Sequence, residues 1–371
     1  MPEIETPTPA AVAADERNVV DETEAGETTA PVTYAIGSFG SDPEVEVLVK
    51  RLEAEEILIP PFQRNYIWTL KEASRFIESL LLGLPVPGIF MARERQTNKM
   101  LVIDGQQRLK SLQFFYGGYF NPKPEARNRR VFKLQFVQSR FENRTYKELD
   151  ENDRRLLDSS VIHATIIKQE EPKNDDTSIY HVFERLNSGG RKLAAQEIRT
   201  AVCHGALMGL LSDLNVVASW REIYGKESPR LKDRELILRF LALNFEKSKY
   251  ERPMSEFLTK FANRHKDAPA EELTRFTKAF VDTIDLLCKE IGSKVFRIER
   301  ALNAAVFDAV MVGLAHRLSK GTLQDVAALR KSYKQLTGDR TFNVLVASST
   351  AGETNIRDRI KMATDAFAGL K

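Results

Sequence analysis

The chain has 371 residues, 42% of them hydrophobic and 29% charged, with a formal net charge of +3. This is ordinary globular composition on a length that suits two or three domains, and the absence of any run of about 18 apolar residues excludes a membrane-spanning helix. Two cysteines, Cys203 and Cys288, build neither a disulfide framework nor a four-cysteine zinc site, so a reducing cytoplasm is the expected compartment.

Residues 1–33 hold eight acids and one base, Arg17, a net of −7; the remainder carries 54 bases against 44 acids, a net of +10. The acidic segment has almost no large apolar side chains and is expected to be disordered. It lacks a basic-then-apolar start, which predicts no secretory signal. The basic body suits a polyanionic partner or is simply a solvated surface. The tail either shields such a face or only solvates the chain.

Order is expected from Tyr34. Val45, Leu48, Val49 and Leu52 predict a helix over 43–54. Ile57–Pro61 is a short apolar stretch closed by two prolines. Thr69 and Glu72 stand at capping-box spacing before Ala73, Phe76, Ile77, Leu80 and Leu81, and Gly83 and Pro85 stop that helix. Gly88–Ala92 and Met100–Ile103 predict two strands of a hairpin. Asp104 is expected to cap the next helix, with Gln107 three residues on. Leu109, Leu112 and either Phe115 or Tyr116 form its buried face, and Gly117-Gly118 forms its end.

A basic, proline-containing loop spans 121–130. Val131–Val137 alternates as a strand, Ser160–Lys168 reads as a second β-branched strand, and Gln169–Thr177 reads as a polar loop. Helices follow near 178–187, 194–213, 231–246, 253–264, 270–291, 298–318, 322–336 and 353–369. The expected class is α+β: a first region with a small mixed sheet, then an all-α region.

Three segments carry candidate chemistry. In Val102–Arg108 a strand runs into a glycine turn and opens a helix, which aims backbone N–H groups and a positive dipole end at one spot. That arrangement holds phosphate. Gly105 gives close approach, Arg108 pairs a phosphate, and Asp104 ligates a phosphate-bound Mg²⁺. The structural alternative is a capped helix whose Arg108 pairs with a neighbouring acid. Pro60–Trp68 places Arg64 within reach of phosphate and Tyr66 or Trp68 where they would stack on a base. For Trp68 the weightier alternative is packing onto the following helix. Phe183–Gly190 ends in Asn-Ser-Gly-Gly, either an anion nest or an ordinary glycine cap. No phosphate loop of the GxxxxGK[ST] type, no HExxH and no Cys/His cluster is present. The five histidines are scattered.

FQRNYIW at 62–68, IDGQQR at 103–108 and FERLNSGG at 183–190 occur together in this order. Jointly they resemble the GmrS-type family of the ParB/sulfiredoxin-like superfamily, found at the front of GmrSD-type and SspE-type restriction proteins of bacterial phage defence. RLKDRELILRFL at 230–241 and Met254–Phe261 look like its helical continuation. The resemblance implies a ParB/sulfiredoxin-like nucleotide-binding domain over 34–190 and a helical domain over 191–371.

It further implies that Asp104, Gly105, Gln106, Gln107 and Arg108 form a nucleoside-triphosphate site. Asp104, Gln107 and Arg108 would be the catalytic group and Asp104 the Mg²⁺ ligand. Gln63, Arg64 and Tyr66 would line the same pocket, and Asn187, Ser188, Gly189 and Gly190 would close it. Relatives couple Mg²⁺-dependent NTP hydrolysis to action on modified DNA. An HNH nuclease domain accompanies them, but residues 266–371 contain one histidine, His316.

The implied function is an Mg²⁺-dependent NTP-binding and NTP-hydrolysing component of a DNA-targeting phage-defence system without its own HNH domain. The alternative is a non-catalytic, nucleotide-gated module that binds DNA or recruits a partner. The implied partners are a nucleoside triphosphate, DNA and a nuclease subunit, with no membrane. A homo-oligomeric state stays open.

Overall fold

Two units make up the chain, Tyr34–Lys192 and Leu193–Lys371, the second taking in Met1–Thr33. The structure, a computed structural model, describes residues 19–20, 35–59, 66–94, 97–122, 129–171, 182, 194–297, 301–347 and 350–371. No helix among them is long and apolar enough to cross a membrane. The first element, β1 (Val19–Val20), belongs to the second unit.

The unit Tyr34–Lys192 is α+β. Its five strands are β2 (Ala35–Ser41), β3 (Ile57–Leu58), β4 (Ile89–Arg93), β5 (Met100–Asp104) and β6 (Ala164–Glu171). They lie in the order β2-β6-β4-β5-β3. The sheet is mixed: β4–β5 is the antiparallel hairpin, β2–β6 is antiparallel, and β4–β6 and β3–β5 are parallel. Its helices are α1 (Val45–Glu53), α2 (Leu70–Leu81), α3 (Gln106–Gly117) and α4 (Glu151–Ser159). The apolar positions that predicted α1 to α3 are the ones that are buried. Val45, Leu48, Ile77, Leu81, Leu109 and Leu112 share one core with Ile89, Val102 and Ala164 of the sheet. The reciprocal Thr69–Glu72 cap of α2 is present.

Two sequence expectations in this unit are corrected, for Asp104 and Val131–Val137, and two of its elements, β2 and α4, carried no expectation. Asp104 does not cap α3. It ends β5, and Gly105 is the cap residue, in the left-handed region with no side-chain cap. Val131–Val137 is not a ladder strand. Phe132 and Leu134 are buried as alternation requires. Its N–H groups, however, go to turns and side chains: Leu134 N donates to the Arg144 carbonyl (2.9 Å) and Gln135 N to Ser74 Oγ (3.1 Å). β2 lacks the β-branched alternation that marks a strand, and pairing with β6 decides it. α4 is held tertiarily. Asp158 accepts from Tyr116 Oη (2.5 Å) and Tyr146 Oη (2.9 Å), whose rings stack at 4.1 Å. Burial first, then that carboxylate, pushes both phenols up, Tyr146 to about 12.

The second unit is helical: α5 (Ala195–Val202), α6 (Ala206–Asn215), α7 (Ala218–Tyr224), α8 (Lys232–Glu246), α9 (Met254–Arg264), α10 (Ala270–Glu290), α11 (Ala304–Leu318), α12 (Val326–Gly338), α13 (Arg340–Ala347) and α14 (Glu353–Ala368). The helix expected over 194–213 breaks at Cys203–Gly205, where Leu207 N donates to the Lys266 carbonyl (3.2 Å). The expected helix over 298–318 starts only at Ala304. Leu302–Asn303 instead forms β7, paired in parallel with β1. Residues 1–33 were expected to be disordered; Val19–Val20 departs from that, because Val19 is buried in this pairing. The helix expected at 178–187 lies outside the described residues, apart from Val182.

α11 runs through the middle of this unit and is buried on nearly all sides. It touches α14 backbone to backbone, since a Cβ at Gly313 would stand 2.7 Å from the Ala363 carbonyl carbon. Asp308 on α11 is buried between Arg239 (2.9 Å) and Arg359 (2.8 Å), so three buried charges link α8, α11 and α14. Both cysteines are free thiols.

Glu246, at the end of α8, meets Arg264, Lys249 (2.8 Å) and His265 (3.3 Å). Partial burial opposes its ionisation, but these cations outweigh burial and hold the carboxyl down at about 2. Its share of stability is therefore complete above the ordinary value of 4.5 and lost as pH falls toward 2. The urea midpoint of Glu246→Gln is expected below wild type at neutral pH, with the gap closing between those two values.

Candidate functional site

The site grows from the end of the hairpin. The register shift between Phe90 and Met91 sets Asp104 opposite Phe90. Gly105 then turns the chain with φ +100°. Only glycine takes this turn without strain, and space forbids a side chain as well: a Cβ would stand 2.4 Å from Ile89 Cγ2. The first turn of α3 therefore starts against the first residue of β4. Gly105 itself offers no side-chain cap, and the positive end of the helix dipole lies at this turn.

Arg108, one turn in, is mostly buried and donates from Nη2 to Asp104 Oδ2 at 2.7 Å. The Asp104 side chain is 53% exposed. The Arg108 Nε is buried and has no hydrogen-bond partner. The structural alternative weighed for this arginine, pairing with a neighbouring acid, is what the structure shows, and one donor is left over.

Gln106 is buried. Gln107 does not face outward. Its Oε1 accepts from Ile67 N (3.0 Å) and Trp68 N (3.2 Å) and so ties the segment before α2 to the DGQQR helix. Tyr66 is a core residue. Its ring meets Phe114 and Phe120 edge-on at 4.9 and 5.7 Å, and its hydroxyl pairs with Ser111 Oγ at 2.7 Å. Burial holds that phenol at about 12. Ser111 Oγ in turn donates to the Gln107 carbonyl (2.7 Å). Trp68 packs edge-on against Phe76 at 5.6 Å, the packing role weighed for it above. Two sequence motifs 40 residues apart are thus joined by Gln107, Tyr66 and Ser111. Ser111 had no signal in the sequence, because its partner is 45 positions away. Gln63, Arg64, Asn187, Ser188, Gly189 and Gly190 lie outside the described residues.

Among the described residues no three His, Cys, Asp or Glu side chains gather as a metal cage. His163 pairs with Asp42 (2.7 Å), and His265 lies between Glu246 and Glu272.

Residues 45–203 match the GmrSD restriction endonuclease N-terminal domain family. The matched stretch contains the whole hairpin–turn–helix, α2 and the segment tied to it. A second likeness is to an uncharacterized protein of Methanocaldococcus jannaschii, 33% identical over 95 residues, which is 19% of this chain and 16% of that protein. The chain thus spans a small part of that relative. The GmrSD-type domain begins one residue after the Glu44–Val161 bridge.

Gly105→Ala forces a Cβ into the Ile89 side chain at a left-handed backbone. It is expected to cost about 2–4 kcal/mol of stability, read by urea unfolding. Gln107→Ala removes the acceptor of two N–H groups. Hydrogen exchange at Ile67 and Trp68 is expected to rise while exchange in the middle of α3 stays slow.

Proposed function

We propose that the turn at Asp104–Arg108 holds the phosphates of a nucleoside triphosphate, and that the protein is the nucleotide-dependent component of a DNA-targeting, restriction-like defence system. The observation that carries this is the buried Arg108 Nε, without a hydrogen-bond partner among the described residues, beside a helix start capped by a glycine. A buried guanidinium donor without a partner is costly, and a phosphate oxygen satisfies it with a charge-assisted bond. The glycine turn supports the same reading, since it lets backbone N–H groups approach an anion.

The residues fit Mg²⁺ in one way. Asp104 has one carboxylate oxygen engaged by Arg108 and a half-exposed side chain. It suits a metal that takes one carboxylate and draws its other ligands from phosphate and water. When bound there, the metal would neutralise charge developing on the phosphates. Arg108 would bind and orient the phosphates and offset the same charge. Asp104 would hold Arg108 in place. Gln107 and Tyr66 act one layer below, fixing the segment that leads from residues 60–65 into α2. Gln106, Gln63, Arg64, Asn187, Ser188, Gly189 and Gly190 belong to the proposed nucleotide site through the family resemblance.

DNA as target rests on the restriction-endonuclease family and on the +10 body. A nuclease partner subunit and a cytoplasmic setting belong to the same proposal. A nucleotide-gated module without turnover is the second reading. It is favoured by Gln107, whose side chain is engaged with backbone rather than offered to a water.

Thermal shift and phosphate release with each of the four NTPs and Mg²⁺ separate these readings. At least one NTP is expected to raise the melting temperature. Arg108→Gln is expected to weaken that NTP about 10- to 150-fold through loss of a charged hydrogen bond. Its fold should survive, since a half-exposed ion pair contributes under about 1 kcal/mol. Asp104→Asn is expected to abolish the Mg²⁺ dependence. Binding without phosphate release selects the gated module, and no shift with any NTP removes both readings.

A further inference from the structure

The loop that failed to become a strand presents an unusual surface. Phe132 and Leu134 point into the core and Val131 and Lys133 outward, whereas Phe136, on the parity of the buried pair, is turned outward instead. Phe136 is 62% exposed and sits at φ +62°, a left-handed conformation that L-residues other than glycine rarely adopt. It is held there rigidly. Gln135 N donates to Ser74 Oγ (3.1 Å) and Gln138 N to Glu78 Oε1 (2.6 Å), which pin the loop to α2. Lys71 of the same helix lies over the ring at 5.3 Å. A backbone strained and pinned in order to expose an aromatic side chain points to something that the side chain contacts.

The surroundings are basic. Arg129, Arg130, Lys133, Arg140, Arg144 and Lys147 are all exposed, and none forms an ion pair with a described residue. Glu148 is within electrostatic reach of Lys133 and Arg144, but its carboxylate is taken up by Thr145. Glu142 accepts from Val137 N (3.1 Å). These bases form one surface, because the segments carrying them are laid side by side. Phe120 N donates to the Arg130 carbonyl (2.9 Å), Phe132 N to the Gly118 carbonyl (2.9 Å), and Asn143 N to the Leu134 carbonyl (2.8 Å). Tyr119, 40% exposed and bridged to Val131, has Arg129 over its ring at 5.9 Å.

We propose that this face, carried by Tyr119 and residues 129–147, binds a single strand of DNA. The bases track its phosphates, and Phe136 and Tyr119 stack on unpaired nucleobases. Unpaired surface cations suit a polyanion. Exposed rings interleaved with them favour unstacked bases over a closed duplex, whose base faces are hidden. The proposal rests on the DNA part of the function above and is independent of the nucleotide site.

The test uses the full chain and a labelled mixed-sequence oligonucleotide, single-stranded or annealed, with anisotropy read across a salt series. Wild type is expected to prefer the single strand. Lys133→Gln with Arg144→Gln should flatten the slope of log affinity against log salt by about 1 to 1.5. Phe136→Ala should weaken binding about 5- to 150-fold at fixed salt and leave the slope unchanged. Phe136→Gly relieves the left-handed backbone, so it should lose the same binding with an equal or higher melting temperature. Lys331→Gln with Lys334→Gln, exposed bases of α12 in the other unit, should change nothing. Wild-type binding that the loop variants leave intact, or that prefers duplex, overturns this inference alone. An equal effect of the α12 pair does the same by showing diffuse attraction. No DNA binding by wild type overturns it together with the DNA reading.

Discussion

Because residue 105 carries no Cβ, the first turn of α3 can lie directly on Ile89, the fully buried first residue of β4. That contact decides where the helix leaves the sheet. It also decides that the Asp104 and Arg108 side chains meet across one helical turn. From the same turn Gln107 reaches the segment before α2, and Ser111, one turn later, reaches Tyr66. The hairpin, two helices and a motif 40 residues upstream are assembled around one missing methyl group.

The two units handle charge in opposite ways, for the same physical reason. In the helical unit Arg239, Asp308 and Arg359 are buried, and they are tolerated there because each guanidinium has the carboxylate within hydrogen-bond distance. In the α+β unit the bases of the 129–147 face stay in water, where an unpaired cation costs little. Arg108 is mostly buried, with one nitrogen paired and its Nε not, a state it shares with Arg359, but its carboxylate partner Asp104 is half exposed where Asp308 is fully buried. A group in that position is stable when an anion completes it, which is why the candidate site is placed there.

The polar residues of the DGQQR segment divide by what they touch. Asp104 and Arg108 face the surface above the turn. Gln107 holds backbone, and Tyr66 from the neighbouring motif is locked into the core by Ser111 and two phenylalanines. A motif therefore mixes residues that would contact a ligand with residues that hold the contacting ones still. Their spacing along the chain does not separate the two kinds.

Local physics made much of this protein legible in its sequence. The capping box at Thr69–Glu72, the helical stripes of α1 to α3, the hairpin and most C-terminal helices depend on neighbours within a few residues, and there the periodicity reads directly. The glycine turn after β5 was legible for the same reason. What depended on distant partners was not. β2 is a strand because β6 pairs with it, and α4 is anchored by tyrosines from elsewhere. Val131–Val137 alternates like a strand but finds turns and side chains instead of a ladder. Val19–Val20, in a segment too polar to fold by itself, is ordered by Leu302–Asn303. The sequence alone determined which apolar helix faces would be buried and which turn needs glycine, since both follow from side-chain chemistry and local backbone geometry. Only the tertiary structure decided which polar groups pair and which donor is left over, because hydrogen bonds are allotted between segments far apart in the chain.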